Sequence, residues 1–183
     1  MTTETTQIIS TGSSEIDKKM GGGIPTGSLV LLEGQSDAGK SVLSQHFSHG
    51  ALSAKMSVAY YTTENTVKSL MSQMASLDLD VTDFFLCDRM RVYPLDTSSL
   101  EDDHSKLAFQ ILIDHLKQLP ERFQLAIVDS LTGLVAHSDD RSIIDFFAAC
   151  KQLCDDGRTV IPVVHSYAFD DRMLIRVRSL CNA

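Results

Sequence analysis

GQSDAGKS, Gly34 to Ser41, lies between the apolar run Ser28–Glu33 and a stretch, Ser41–Ala54, in which Leu43, Phe47 and Leu52 recur at approximate helical spacing. Gly34, Gly39, Lys40 and Ser41 fit the pattern G-x-x-x-x-G-K-S/T, and a strand before it with a helix after it gives the pattern its mechanism. In such a loop the glycines let backbone N–H groups wrap round phosphates, which assigns Gly34, Gln35, Ser36, Asp37, Ala38 and Gly39 to an ATP cradle. Lys40 then reaches the β and γ oxygens, and the Ser41 hydroxyl ligates Mg²⁺ at the positive helix N-terminus. The competing reading is a glycine turn followed by an exposed lysine; the flanking strand and helix disfavour it.

Working outward, the pattern repeats. STGSSEIDKKMGGGIPTGS crowds Gly21, Gly22, Gly23, Pro25 and Gly27 into a tight loop ahead of the first strand. Met56–Thr63 reads as a second strand and Thr66–Leu77 as a helix; Arg89–Leu95 is a shorter strand. An acidic linker, Asp96–His104, ends where Leu107, Ile111 and Leu112 begin a helical stripe that Pro120 closes. Phe123–Asp129 is a further apolar strand, Ser142–Asp155 is helical, and Gly157 punctuates before the strand Thr159–His165. This alternation predicts an α/β fold, a mainly parallel sheet with helices on both faces, whose binding loops lie at the carboxyl ends of the strands. Residues 1–183 read as a single domain, without repeat, low-complexity tract or linker. The end, MLIRVRSLCNA, continues a helical pattern through Leu174, Val177, Arg178 and Cys181, and fits a natural terminus and a truncated chain equally.

Three more residues join the cradle on chemical grounds. A carboxylate beside Mg²⁺ belongs at the end of a buried strand, and Asp129, after LAIV, supplies it, with Ser130 or Thr132 to orient it. The alternative is an Asp that caps the next turn through those same two residues. Hydrolysis needs a group to position or deprotonate water, and Glu64, just past the second strand, would project from the sheet's carboxyl edge. Its alternative role is to favour the dipole of the helix that follows. His165 ends the last strand, where it would contact the γ-phosphate or serve as an ordinary hydrogen-bonded strand-end residue.

Bulk composition narrows the classes. With 183 residues, 43% of them hydrophobic and 22% charged, the chain is long and apolar enough for a buried core. No run approaches the roughly 20 apolar residues of a membrane span. The polar start MTTETTQIIS lacks the regions of a signal peptide, so a cytoplasmic location is expected. Cys87, Cys150, Cys154 and Cys181 contain no CxxC pair and read as reduced thiols. A formal net charge of −8 disfavours a polyanionic partner, so no nucleic acid is expected.

In this order and spacing, GGGIPTGSLVLLEG, GQSDAGKS, YYTTEN, LAIVDSLT and VVHSYAFDD resemble the RecA/KaiC-like ATPases. Within them, YTTEN and HSYAFDD look most like the FlaH accessory ATPases of the archaeal flagellum, the archaellum. The resemblance covers about Ser10 to Ala183 and implies a RecA-like P-loop core. On it, Lys40 and Ser41 hold phosphates and Mg²⁺, Asp129 is the metal-side acid, and Glu64 matches the catalytic acid after the second strand. KaiC relatives carry two adjacent carboxylates there, whereas this chain has Glu64 and Asn65. Family members continue with further strands after the segment matching RVRSLCNA, so an uncovered sheet edge is expected.

The resemblance further implies a nucleotide-dependent assembly or regulatory subunit at the cytoplasmic face of the membrane motor. Its partners would be the archaellum motor ATPase, a membrane platform protein and a scaffold ring, with a hexameric ring as a possible self-assembly. A thinned acid pair suits slow turnover. A RecA-like DNA recombinase is the competing class, but it needs basic loops where this chain reads SYAFDDR. A KaiC-like autokinase is the third; it uses tandem domains and a phosphoacceptor tail, and here there is one cradle.

Overall fold

Short buried runs, too brief for helices, alternate here with longer amphipathic stretches. The computed structural model, which describes residues 7–96 and 102–183, folds them as parallel strands and covering helices. The N-terminal segment makes an antiparallel ribbon of β1 (Ile8–Ile9) and β2 (Ile24–Pro25) around the short helix α1 (Ser14–Lys19). Next come β3 (Leu32–Gly34), α2 (Lys40–Ser53), β4 (Ser57–Thr62), α3 (Val67–Ser76), the short α4 (Thr82–Leu86) and β5 (Met90–Pro94). The remainder is α5 (Asp102–Gln118), β6 (Phe123–Asp129), α6 (Thr132–Ala136), α7 (Asp140–Asp155), β7 (Thr159–His165), a 3₁₀ turn Ser166–Ala168 and α8 (Asp171–Leu180).

Five strands form one parallel sheet in the order β3-β7-β6-β4-β5. Because β7 inserts between β3 and β6, the carboxyl ends of three strands stand side by side. Gly34 registers with His165, and Asp129 with both Val163 and Thr62. That register brings residues distant in sequence to one edge, the usual place for a ligand in an open α/β sheet.

Alternation along the strands builds two cores. Val58, Tyr60, Leu125, Ile127, Ile161 and Val163 pack with Phe47 and Leu52 of α2 and Leu70 and Met74 of α3. On the opposite face Ala59, Tyr61, Ala126, Val128, Val160 and Val164 meet α5, α7 and α8 through Phe109, Phe146, Phe147 and Val177. Helix α2 also packs against the N-terminal segment so closely that a Cβ on Gly50 would lie 1.8 Å from the Ser10 carbonyl oxygen. Only glycine permits that approach.

Most expected boundaries shift by one or two residues at fraying ends. Three differences are larger. The Ser28–Glu33 strand splits: Val30 donates to Val160 O, which already registers with Ala126, and regular pairing resumes only at Leu32. The acidic linker Asp96–His104 is shorter than its composition suggests, since α5 begins at Asp102, while residues 97–101 lie outside the described region. The acidic loop SYAFDDR is largely a helix start, in which Asp170 caps α8 by accepting from Met173 N at 2.7 Å. In the strand order β3 stands at the edge, as expected, and the backbone of residues 182 and 183 pairs only with the segment just before it. Asn182 N donates to Leu29 O at 2.8 Å and Leu31 N to Ala183 O at 2.9 Å.

Candidate nucleotide site

The loop between β3 and α2 turns on Gly39, whose left-handed backbone (φ 82°) sets the first turn of α2 and favours glycine there. Asp37 is also left-handed at φ 61°, a conformation that Asp tolerates better than most residues. Together they point the N-terminus of α2 at the sheet edge. A cavity of about 470 Å³ opens there, lined by Ser36, Lys40, Ser41, Glu64, Gln73, Asp129 and His165 among others. Its walls come from the glycine loop, from α3 and from the ends of β6 and β7.

Lys40 is largely buried, and its ammonium bends back to donate to Gln35 O at 2.6 Å, 3.3 Å from His165 Nδ1. Ser36 Oγ stands 3.5 Å from the same ring nitrogen. The backbone N–H of His165 donates to Thr132 Oγ1 at 3.0 Å, which holds the strand end in register with α6. His165 also stacks on the exposed Tyr167, with centroids 5.1 Å apart. The histidine thus shares the phosphate loop with Lys40.

Asp129 sits 4% exposed at the centre of a hydroxyl cluster. Ser41 Oγ donates to Oδ1 at 3.2 Å, while Tyr60 Oη at 2.6 Å and Ser44 Oγ at 3.3 Å donate to Oδ2. Burial and the adjacent carboxylate push the Tyr60 phenol well above its ordinary pKa, so it remains a donor. This corrects the expectation that Ser130 or Thr132 would orient Asp129: Thr132 serves His165, and Ser130 N donates to Thr63 Oγ1. Asp129 does not cap the following turn either, because α6 has no side-chain cap.

Glu64 faces the cavity from the β4–α3 connection. It lies two residues before Thr66, which caps α3 by accepting from Ser69 N at 3.1 Å. The first turn of α3 holds no acid, and Glu64 stands outside it, ahead of the cap. Asn65, where the second acid would be, instead accepts from Ser69 Oγ at 3.1 Å and helps shape the helix entry. Ser44, Tyr60 and Gln73 escaped the sequence reading. A buried tyrosine needs a partner for its hydroxyl, and that requirement was the available signal for Tyr60.

The site offers an ammonium, a hydroxyl–carboxylate pair of hard oxygens at a helix N-terminus, and an acid across the cavity. A family model for the KaiC ATPases matches residues 9–166. The chain belongs to the KaiC family of ATPases. Among KaiC-type relatives, it is 30% identical to the archaeal flagellar ATP-binding protein FlaH of Sulfolobus acidocaldarius over 176 residues, 94% of this chain and 75% of that protein. The FlaH of Methanocaldococcus jannaschii is 30% identical over 169 residues, 90% of this chain and 70% of that one. The crystal structure of the M. jannaschii flagellar accessory protein FlaH superimposes with a TM-score of 0.78 and 25% identity, covering 96% of this chain and 78% of that structure. The DNA repair protein RadA of Haemophilus influenzae is 28% identical over 93% of this chain, but the match spans only 37% of that protein. Within the KaiC family the chain therefore sits with FlaH.

Proposed function

We propose that this chain is the ATP-binding accessory subunit of an archaeal flagellar motor, a nucleotide-dependent switch with slow turnover. The observation that carries the reading is the convergence of Lys40, Ser41, Asp129, Glu64 and His165 on one cavity at the sheet edge, in a chain of the FlaH group.

The residues present fit Mg²⁺-ATP. Ser41 Oγ and Asp129 Oδ1 form a pair of hard oxygen donors of the kind Mg²⁺ takes, and the turn at Gly39 aims backbone N–H groups toward phosphate. Bound Mg²⁺ neutralises charge on the phosphate oxygens. Lys40 leaves the Gln35 carbonyl to pair with the β and γ oxygens, and His165, freed of Lys40, turns to the terminal phosphate. Tyr60 and Ser44 keep Asp129 oriented toward Ser41. Glu64, facing the cavity from the β4–α3 connection, positions water, and with Asn65 tied to Ser69 it works without a carboxylate at the next position.

In the loaded state the loops at Glu64 and His165 form the surface read by partners: the hexameric motor ATPase, the membrane platform protein and the scaffold ring, at the cytoplasmic face of the membrane. A ring of copies of this chain suits the same architecture. No helix among the described residues is long and apolar enough to cross a membrane, which fits a peripheral subunit.

Steady-state turnover and partner capture test the reading together. The expected result is turnover far below that of a motor ATPase, retention of the motor ATPase with ATP but not ADP, and ATP retention without turnover in Glu64→Gln. Robust turnover of the isolated chain contradicts it. The similarity to RadA keeps a DNA-binding reading in view, and tight single-stranded DNA binding at physiological salt would favour that reading.

A further inference from the structure

Gln45 lies on α2, one turn beyond the Ser41 hydroxyl and on the same side of the helix. It is fully buried, beside the apolar core that α2 shares with α3. Its Nε2 donates to Gln73 Oε1 on α3 at 2.9 Å, yet its own carbonyl oxygen is buried without any hydrogen-bond partner. A buried acceptor left unpaired destabilises a fold, and a leucine of similar size would fit such a position without that cost. An amide kept there calls for a reason other than packing.

Gln73 supplies that reason. It lines the cavity with Lys40, Ser41, Glu64 and Asp129. Since Gln45 occupies its carbonyl, the amide end left to Gln73 is a two-hydrogen donor. The glycine loop holds phosphates from one wall, whereas Gln73 and Glu64 both come from the β4–α3 unit that forms the other. Groups on that second wall meet what extends beyond the loop's own grip, the terminal phosphate and the water around the metal. An amide donor facing an anion makes a charge-assisted hydrogen bond.

We propose that Gln73 is a ligand for the terminal phosphate end of the bound nucleotide, and that Gln45 is its positioning residue, fixing which end of the Gln73 amide faces the cavity. The pair thereby distinguishes triphosphate from diphosphate and ties α3 to the phosphate-binding helix. This inference rests on the nucleotide-binding reading above and adds to it the source of ATP-over-ADP preference.

The test is titration calorimetry of the full chain with Mg²⁺-ATP, a non-hydrolysable ATP analogue and Mg²⁺-ADP, for wild type, Gln73→Ala, Gln45→Leu and the double variant, each with its thermal midpoint. Gln73→Ala is expected to weaken ATP and analogue about tenfold while leaving ADP within about twofold. Gln45→Leu is expected to weaken ATP in the same sense, with a thermal midpoint equal to or above wild type. In the Gln73→Ala background Gln45→Leu should add nothing, because it acts only through Gln73. An unchanged ATP-to-ADP ratio in Gln73→Ala overturns the inference, as does a lowered midpoint with unchanged ratio in Gln45→Leu. Lys40→Ala, run alongside, separates the two levels. If it binds ATP like wild type, the nucleotide reading itself fails; if it loses ATP while Gln73→Ala keeps the wild-type ratio, only this inference fails.

Discussion

The Tyr60 hydroxyl on β4 donates to Asp129 Oδ2 at the end of neighbouring β6 at 2.6 Å, and both side chains are buried. One strand therefore holds the acid that the other presents to Ser41. Tyr60→Phe removes a donor to a buried carboxylate, which costs about 1–3 kcal/mol of stability. The same change should weaken Mg²⁺-ATP more than metal-free ATP, since it loosens the acid proposed to stand beside Mg²⁺. Urea unfolding and calorimetry with and without Mg²⁺ measure the two effects.

Gly50 is where α2 passes the N-terminal segment, with no room for a methyl group before the Ser10 carbonyl. Gly50→Ala forces α2 and that segment apart and should destabilise by about 3 kcal/mol. Because α2 begins at the phosphate loop, nucleotide affinity should fall with it. Thermal unfolding with and without ATP measures both.

Two histidines make stability depend on pH. Burial, with Arg91 nearby, holds His115 below its ordinary pKa of 6.5, and burial with His46 nearby does the same for His49. Each is lowered in the folded state, so from about pH 6.5 downward the unfolded chain binds more protons. The stabilisation is complete above that pH and is lost as pH falls toward the folded-state values. For His115 the structural link is visible: its Nδ1 lies 2.7 Å from the hydroxyl of Tyr61, a phenol that burial keeps protonated, and its ring packs edge-on against Tyr61. Denaturation midpoints should drop between pH 7.5 and 5.5, and His115→Gln, which keeps an acceptor without titrating, should flatten the decline.

Asp170 caps α8, the helix that packs on α7 through Met173 and Val177. Asp170→Ala should cost about 1 kcal/mol, and Asp170→Asn or Ser much less. Urea midpoints of the three variants check the order.

Periodicity and punctuation made the five main strands and the larger helices legible, because their apolar faces are buried on a regular pattern. The strand before the phosphate loop split because Val30 is bonded to Val160 while Leu31 turns to Ala183, a tertiary choice that no local pattern records. The small elements α1, α4 and α6 and the Ile8–Ile24 ribbon are too short to carry a period. The place of Lys40, Ser41, Asp129, Glu64 and His165 around one cavity was readable because each ends or follows a strand or opens a helix. Tyr60, Ser44 and Gln73 were not, since their partners become neighbours only once β6 lies beside β4 and α3 beside α2. The Asp pair after the last strand read as a charged loop because a helix cap and a solvated acid look alike in sequence.

On the proposed reading, Gly34–Ser41 holds ATP through Lys40. Calorimetric titration of Mg²⁺-ATP into wild type and Lys40→Ala, at matched folded fraction, tests it most directly. Saturable binding by the wild type and a loss of about a hundredfold or more in Lys40→Ala are expected; equal affinity in the two proteins would rule out this role for the loop.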